Sequence, residues 1–141
     1  MGWKEKAERD LKKYTGYKKT ICALQKLIKE LRGNITSVGG APLELVPARG
    51  KPGAREERIA TCIDEIRRCE HEIEIRNVLV KRVEAGMDEL TEEHRQIIRC
   101  VFFGEGKAFQ LEAALYTSHA SIYRQRTKAL EAYATAVGYK R

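Results

Sequence analysis

Two long segments without proline place their apolar residues at alternating steps of three and four, and this spacing constrains the fold more than any other feature. Residues 55–90 keep the alternation through ten positions, of which Arg76 alone is polar. Residues 3–31 carry a similar seam, which Gly16 interrupts. Such seams are typical of long helices that pack on one another. The chain is therefore predicted to be all-α, with a long coiled-coil-like helical hairpin in its N-terminal part.

The segment between these seams, residues 33–54, is predicted to be a loop that lets the chain reverse. It holds all three prolines and five of the glycines, and both residue types interrupt regular structure. Its short apolar run, Leu43–Val46, could pair as a strand or pack against the helices. The net charge is +6 for residues 1–32 and −3 for residues 55–90, so the two helices are expected to attract each other. The alternative is that these charges simply lie on solvated helix faces. The two helices could pack on each other through these apolar residues within one chain, or on the helices of another subunit.

A capped helix is predicted over residues 91–103. Thr91 can cap its N-terminus, and two glutamates follow in the first turn, where the helix dipole favours negative charge. Glycines at positions 104 and 106 follow Phe103. Because glycine weakens helices and tolerates positive φ, this helix is predicted to end there.

Two further helices are predicted after this break. The first is short, over about residues 108–115, and residues 116 and 117 form a turn. Ser118 is a good N-cap for the second, which can run to Val137 and end at Gly138. A short helix, a tight turn and a longer capped helix make a helix-turn-helix. The same pattern would equally fit the end of an ordinary helical bundle with a solvated, charged face.

In a helix-turn-helix the second helix enters the DNA major groove. Arginine can bind a guanine edge through two hydrogen bonds, and lysine pairs with phosphate. The core-facing side of this helix is predicted to carry Ile122, Ala129, Leu130, Tyr133 and Val137. The predicted DNA-contacting residues lie on its other side and in the preceding segment: Ser118, His119, Ala120, Tyr123, Arg124, Thr127, Lys128 and Lys107.

Five stretches of the C-terminal segment carry a resemblance to a known family: Leu90–Ile98, Phe103–Gly106, Leu115, Thr117–Arg124 and Lys128–Leu130. They resemble the region-four domain of bacterial sigma factors, a DNA-binding helix-turn-helix. With Tyr14 and Tyr17 on its N-terminal helix, the whole chain is similar to small phage and prophage late-gene regulators of the ArpU and RinA type. Two positions depart from the pattern: Glu112 replaces a small residue, and Tyr116 replaces the usual turn glycine.

The resemblance implies a sequence-specific DNA-binding transcriptional regulator that activates phage late genes, such as those for packaging or lysis, by recruiting RNA polymerase. Residues 1–90 would form the oligomerisation region and residues 91–141 the DNA-binding domain. Double-stranded DNA, RNA polymerase and further copies of the chain are the expected partners, in the cytoplasm of a bacterial host. Two alternatives stay open. One is a ring-forming small terminase subunit, and the other is a sigma-like interaction module that docks on polymerase without reading DNA.

Composition and motifs narrow the remaining function classes. With 27 basic and 20 acidic residues the net charge is +7, which favours nucleic acid or an acidic surface as partner. No run of about 20 apolar residues is present, so no membrane partner is expected. The sequence lacks phosphate-loop, dinucleotide-binding, zinc-protease and serine-hydrolase motifs, so we expect neither an enzyme nor a cofactor. No CxxC pair occurs, and we predict buried, reduced, structural cysteines with no metal at four positions: Cys22, Cys62, Cys69 and Cys100.

Overall fold

Four helices account for most of the chain in the computed structural model, which describes residues 2–40, 53–107, 110 and 118–141, without the side chains of residues 37–40 and 119. The helices are α1 (Trp3–Gly40), α2 (Ala54–Asp88), α3 (Glu92–Phe102) and α4 (His119–Ala136). No strand occurs within these ranges. The predicted all-α class is confirmed.

Both long helices differ in detail from the predicted boundaries. Helix α1 continues beyond the predicted end at Leu31, so residues 33–40, predicted as loop, are helical. Ile35 packs on the apolar cluster of this region, and the Thr36 hydroxyl donates to the Arg32 carbonyl at 3.0 Å. Packing of the helix therefore outweighs the low helix propensity of its glycines. The run Leu43–Val46 lies outside the described residues.

The chain divides into two compact units, and α1 and α2 each contribute to both. The second unit is Lys19–Asn77, and its core joins the predicted seams of the two helices. Three residues of this core are buried and five more are partly buried around them: Ile28, Ile66 and Cys69, then Leu24, Leu27, Leu31, Ile35 and Ile73.

The first unit consists of Met1–Lys18 and Val78–Arg141, so the C-terminal helices share a core with the start of α1 and the end of α2. The compact division therefore does not fall at residue 90. The buried residues of this core come from all four helices and from the turn after α2: Ala7, Leu11, Val83, Met87, Leu90, Ile97, Ile98, Ile122, Ala129, Leu130, Tyr133 and Ala134.

The four cysteines are free thiols in different environments. Cys69 is fully buried in the core of the second unit, whereas Cys62 and Cys100 are half-buried. Cys22 is exposed, so the prediction that it is buried is wrong. The apolar seam of α1 passes through Ile21 and Leu24, and Cys22 follows Ile21 on the outer side of the helix.

A buried carboxylate joins three helical segments of the first unit. The Asp10 side chain on α1 is 1% exposed. It accepts hydrogen bonds from the Tyr139 hydroxyl at 2.6 Å and the Tyr133 hydroxyl at 3.2 Å, and Arg82 Nη1 lies 3.5 Å away. The same Arg82 nitrogen donates to the Tyr139 oxygen at 2.7 Å. A buried charge is tolerated only when it is paired and hydrogen-bonded, and this carboxylate meets both conditions.

The end of α4 places Tyr139 for this contact. Gly138 has φ +88°, a conformation that favours glycine. The Tyr139 amide donates to the Ala134 carbonyl at 2.8 Å, and the Gly138 amide donates to the Thr135 carbonyl at 3.2 Å. These two bonds form a Schellman motif, which turns the chain back over the helix end. The predicted end of this helix at Gly138 is confirmed.

Gly86 permits the close approach of α2 and α4. A Cβ atom built on Gly86 would lie 2.7 Å from Cε2 of Tyr133 and 2.7 Å from Cγ1 of Val137. A Cβ at Gly16 on α1 would meet no atom within 4 Å. Gly16 and Gly86 therefore differ, because packing requires glycine at position 86 and does not require it at position 16.

We expect Gly86→Ala and Gly16→Ala to change stability in opposite directions. Gly86→Ala should lower the free energy of unfolding by about 1–3 kcal/mol, because the methyl group overpacks the core. Gly16→Ala should raise it by about 0.5–1 kcal/mol, because alanine loses less backbone entropy in a helix. Urea titration followed by circular dichroism measures both. Equal stabilisation by the two alanines would contradict the close packing at Gly86.

Stability should fall steeply at high pH because of the buried phenols. Burial raises the pKa of Tyr133, and the nearby Asp10 carboxylate raises it further; burial and the hydrogen bond to Asp10 also raise the pKa of Tyr139. A raised folded-state pKa contributes stability that is complete below about pH 10, the value for a free phenol, and is lost as the pH rises above it.

The variant Tyr133→Phe isolates this effect. Above about pH 10 its unfolding free energy should fall less steeply than that of the parent, by about 1.4 kcal/mol per pH unit for one tyrosine. Below that pH the two curves should run parallel, with the variant lower by roughly 1–3 kcal/mol for the lost hydrogen bond to a charged acceptor. Identical alkaline slopes would show that Tyr133 ionises normally in the folded protein.

Candidate nucleic-acid interface

Helix α3 forms the support on which α4 packs. Thr91 caps it as predicted, and its side-chain oxygen accepts from the His94 amide at 3.3 Å. Arg95 fixes its start to the end of α2, because Nη2 and Nε donate to the Leu90 carbonyl at 2.8 and 3.1 Å. Ile97 and Ile98 are fully buried on its inner face. These contacts fix the orientation of α3 relative to the last turn of α2.

The break after α3 follows the glycine prediction. The helix ends at Phe102, and Gly104 and Gly106 have φ values of +70° and +87°. Beyond this turn, the Lys107 amide donates to Gln110 Oε1 at 3.0 Å. Of the short helix predicted over residues 108–115, the structure describes Gln110 alone, which is helical and exposed. The turn at residues 116 and 117 and the two departures at residues 112 and 116 lie outside the described residues.

Helix α4 begins as predicted at a serine cap. Ser118 is extended, with φ −83° and ψ 161°, and its Oγ accepts a hydrogen bond from the Ser121 amide at 3.2 Å. The inner face of the helix is formed by buried residues that are fully or almost fully shielded from solvent: Ile122, Ala129, Leu130, Tyr133 and Ala134. Only Val137, predicted on this face, is half-buried rather than buried.

The outer face of α4 forms a continuous solvent-accessible stripe at helical spacing. Its members follow one another at intervals of three and one positions, and all are exposed: Ala120, Tyr123, Arg124, Thr127 and Lys128. Ser118 is exposed at the start of the stripe, although its oxygen is used by the cap. The side chain of His119 lies outside the described part. Lys107 is exposed on the segment after α3. The predicted contact residues between positions 120 and 128 therefore lie together on one helix, and Lys107 does not lie on that helix.

The basic side chains of α4 differ in their surroundings. Within the described ranges, no carboxylate forms an ion pair with Arg124 or Lys128. Arg126, in contrast, is turned toward the core, with 27% of its side chain exposed. Its guanidinium lies 3.8 Å from the Glu8 carboxylate of α1 and 5.1 Å from the Phe102 ring of α3. Arg126 therefore holds α4 on its support and is not available on the outer face.

The acidic charge on this helix is also compensated. Glu131 is its single acidic residue, and it forms an ion pair with Lys140 of the C-terminal segment. Lys140 also lies 5.2 Å from the centre of the Trp3 ring. Residues 118–128 contain three basic residues and no acidic one. The first three turns of α4 are therefore positively charged, and the helix dipole adds to this at the N-terminus.

The contacts of Arg126 and Asp10 that position α4 were not predicted from the sequence. Helical periodicity could have identified Arg126, because a residue two positions from Arg124 lies on the opposite side of a helix. Asp10 has no comparable signal in the sequence, since its partners come from residues 72 or more positions away.

The described residues form neither a metal site nor a membrane-spanning helix. Within the described residues, no group of three histidine, cysteine, aspartate or glutamate side chains is arranged to bind a metal ion. None of the described helices combines the length and apolar character that a membrane crossing requires. Comparison with protein-family models, with curated proteins and with solved structures finds no match to this chain. The interpretation of the α4 face therefore depends on its own geometry and on the sequence resemblance.

We expect Arg126 to be distinguished from Arg124 by stability. Arg126→Ala should lower the free energy of unfolding by roughly 1 kcal/mol, because it removes the cation–π contact with Phe102 and buried aliphatic packing. Arg124→Ala should change it by less than about 0.5 kcal/mol, as is usual for an exposed position. Thermal and urea unfolding of the two variants measure the difference. A larger loss for Arg124→Ala would mean that its side chain supports the fold.

Proposed function

We propose that the chain is a sequence-specific DNA-binding transcriptional regulator whose α4 enters the major groove. The observation that supports this most directly is the exposed stripe of α4, on which Arg124 and Lys128 form no ion pair with any residue that the structure describes. The major groove is about 12 Å wide and admits one α-helix. The 18 residues of α4 extend about 27 Å at 1.5 Å per residue, so one end can enter the groove while the other remains in the core.

The packing favours the N-terminal end as the inserted one. The second half of α4 carries Ala129, Leu130, Tyr133 and Ala134, which are fully buried. Its first half carries the exposed stripe and the positive end of the helix dipole. A recognition helix contacts base edges with its N-terminal residues in the same way.

Different roles follow for the two basic side chains of the stripe, Arg124 and Lys128. Arg124 lies in the second turn, where a guanidinium can reach a guanine edge and form two hydrogen bonds. Lys128 lies one turn further on, where the helix leaves the groove, and an ammonium there can pair with backbone phosphate. We propose direct base reading for Arg124 and sequence-independent binding for Lys128.

The biological role within this proposal comes from the sequence resemblance. Similarity to phage late-gene regulators supports activation of packaging or lysis genes, with RNA polymerase as second partner and a homo-oligomer as the active form. The seams of α1 and α2 pack together in the second unit through Ile28, Ile66 and Cys69. This helical unit contains no residue of α4, and copies of the chain could associate through it.

The experiment begins with selection of bound duplexes from a random library at low salt, followed by affinity measurement on the enriched site and on a scrambled duplex. Arg124→Ala should weaken binding to the enriched site by about 1–3 kcal/mol and relax base preference at one position. Lys128→Ala should weaken both duplexes similarly and make the log–log salt dependence shallower by about one unit.

Matched controls come from the second unit, where Arg67 and Lys29 are exposed. Arg67→Ala and Lys29→Ala change the net charge as the test variants do, and they should leave base preference at the selected site intact. If Arg124→Ala and Lys128→Ala bind like the parent while folded, α4 is not the reading helix. Absence of DNA affinity at low salt would favour a polymerase-docking module, and ring-sized assemblies in light scattering would favour a terminase subunit.

A further inference from the structure

An exposed aromatic ring on the outer face of α4 has no role in the fold. Tyr123 is 66% exposed, and it is the most exposed large hydrophobic side chain in the described part of the chain. Three other tyrosines of the first unit contact neighbouring side chains. Tyr14 stacks on Phe103 with ring centres 4.7 Å apart, and Tyr133 and Tyr139 bind the Asp10 carboxylate. No hydrogen bond, ring contact or cation contact within the described ranges engages Tyr123.

The residues around Tyr123 give this part of the stripe an apolar character. Ala120 lies three positions before it and Thr127 four positions after it, so both adjoin the ring on the same helix face. Both are exposed. Ala120 cannot form a hydrogen bond through its side chain, and it therefore cannot read a donor or acceptor on a base edge. The guanidinium of Arg124 follows Tyr123 directly in sequence.

We propose that Tyr123 and Ala120 form a contact surface for the 5-methyl group of thymine, next to the base pair whose guanine binds Arg124. This inference rests on the proposed function. In the major groove thymine alone presents a methyl group, and apolar side chains recognise it by contact. Cytosine offers an amino donor at the neighbouring edge, and the purines offer acceptors, which an alanine methyl group and an aromatic ring do not satisfy. The selected site should therefore contain thymine adjacent to or one step from the guanine.

Deoxyuridine tests this directly, because it differs from thymidine only by the missing methyl group. Each thymine of the selected duplex is replaced singly by deoxyuridine, and affinities are measured with the parent. At one position, next to the guanine that Arg124 reads, the parent should lose about fourfold in affinity, the value for one buried methyl group. Replacement at the other thymines should have no effect.

The variants Tyr123→Ala and Tyr123→Phe test whether the Tyr123 ring makes this contact. Tyr123→Ala should bind the thymine and deoxyuridine duplexes with affinities that differ by clearly less than fourfold, because the aromatic part of the contact is gone and only Ala120 remains. Tyr123→Phe keeps the ring and loses only the hydroxyl, so it should retain the fourfold difference. Because Tyr123 is exposed, both variants should unfold at the parent's urea midpoint, and this is checked first.

Several results would overturn the inference while leaving the proposed function standing. One is a parent that selects a site but binds every deoxyuridine duplex as tightly as the original. Another is a Tyr123→Phe variant as weak as Tyr123→Ala, which would assign the hydroxyl to a phosphate contact. A third is a Tyr123→Ala variant that binds and discriminates like the parent, which would show that Tyr123 does not contact the thymine. Absence of any selected sequence would overturn the proposed function, and this inference with it.

Discussion

The buried Asp10 carboxylate is the interaction on which the arrangement of the first unit depends. It is shielded from solvent on α1 and contacts Tyr133 on α4, Tyr139 after α4 and Arg82 on α2. A buried charge left without partners would cost several kcal/mol, so the folded unit must keep these groups together. Apolar packing alone would tolerate small rotations of α4 about its axis. Directional hydrogen bonds to one carboxylate restrict such rotation, and this restriction determines which residues of α4 face solvent.

The same fold separates the cations of α4 into two groups. Arg126 is held by a carboxylate of α1 and by an aromatic ring of α3, and Lys140 compensates the single acid of the helix, Glu131. Arg124 and Lys128 remain on the outer face. Sequence composition counts these basic residues alike, although only the second pair is placed to meet an anion. The net charge of the chain thus overstates the charge that the outer face of α4 presents to solvent.

The parts of this structure that sequence could predict are those with local causes. The Thr91 and Ser118 caps and the turn at Gly138 each depend on neighbours within five residues, and all three are confirmed. The long seams also predicted the all-α class, because their period is a local property. The extension of α1 to Gly40 was not predicted, because its glycines argue for a loop and tertiary packing decides otherwise. The role of Asp10 could not be predicted either, since its partners lie 72 to 129 positions away.

If α4 reads DNA as proposed, the small number of side chains on its outer face limits how well one copy could select a site. In the proposed function α4 reads bases with Arg124, Tyr123 and Ala120, and each correct base pair contributes about 1–3 kcal/mol. Specific regulators need roughly 4–10 kcal/mol over non-specific binding, so one copy of α4 reaches only the lower part of that range. Two copies on adjacent half-sites would double the selective contribution without enlarging the face. The outer surface of the second unit, on which Ile63 and Ile75 are exposed, could supply this association. We therefore expect the DNA-binding form to contain at least two copies, with half-sites spaced by whole turns of the duplex.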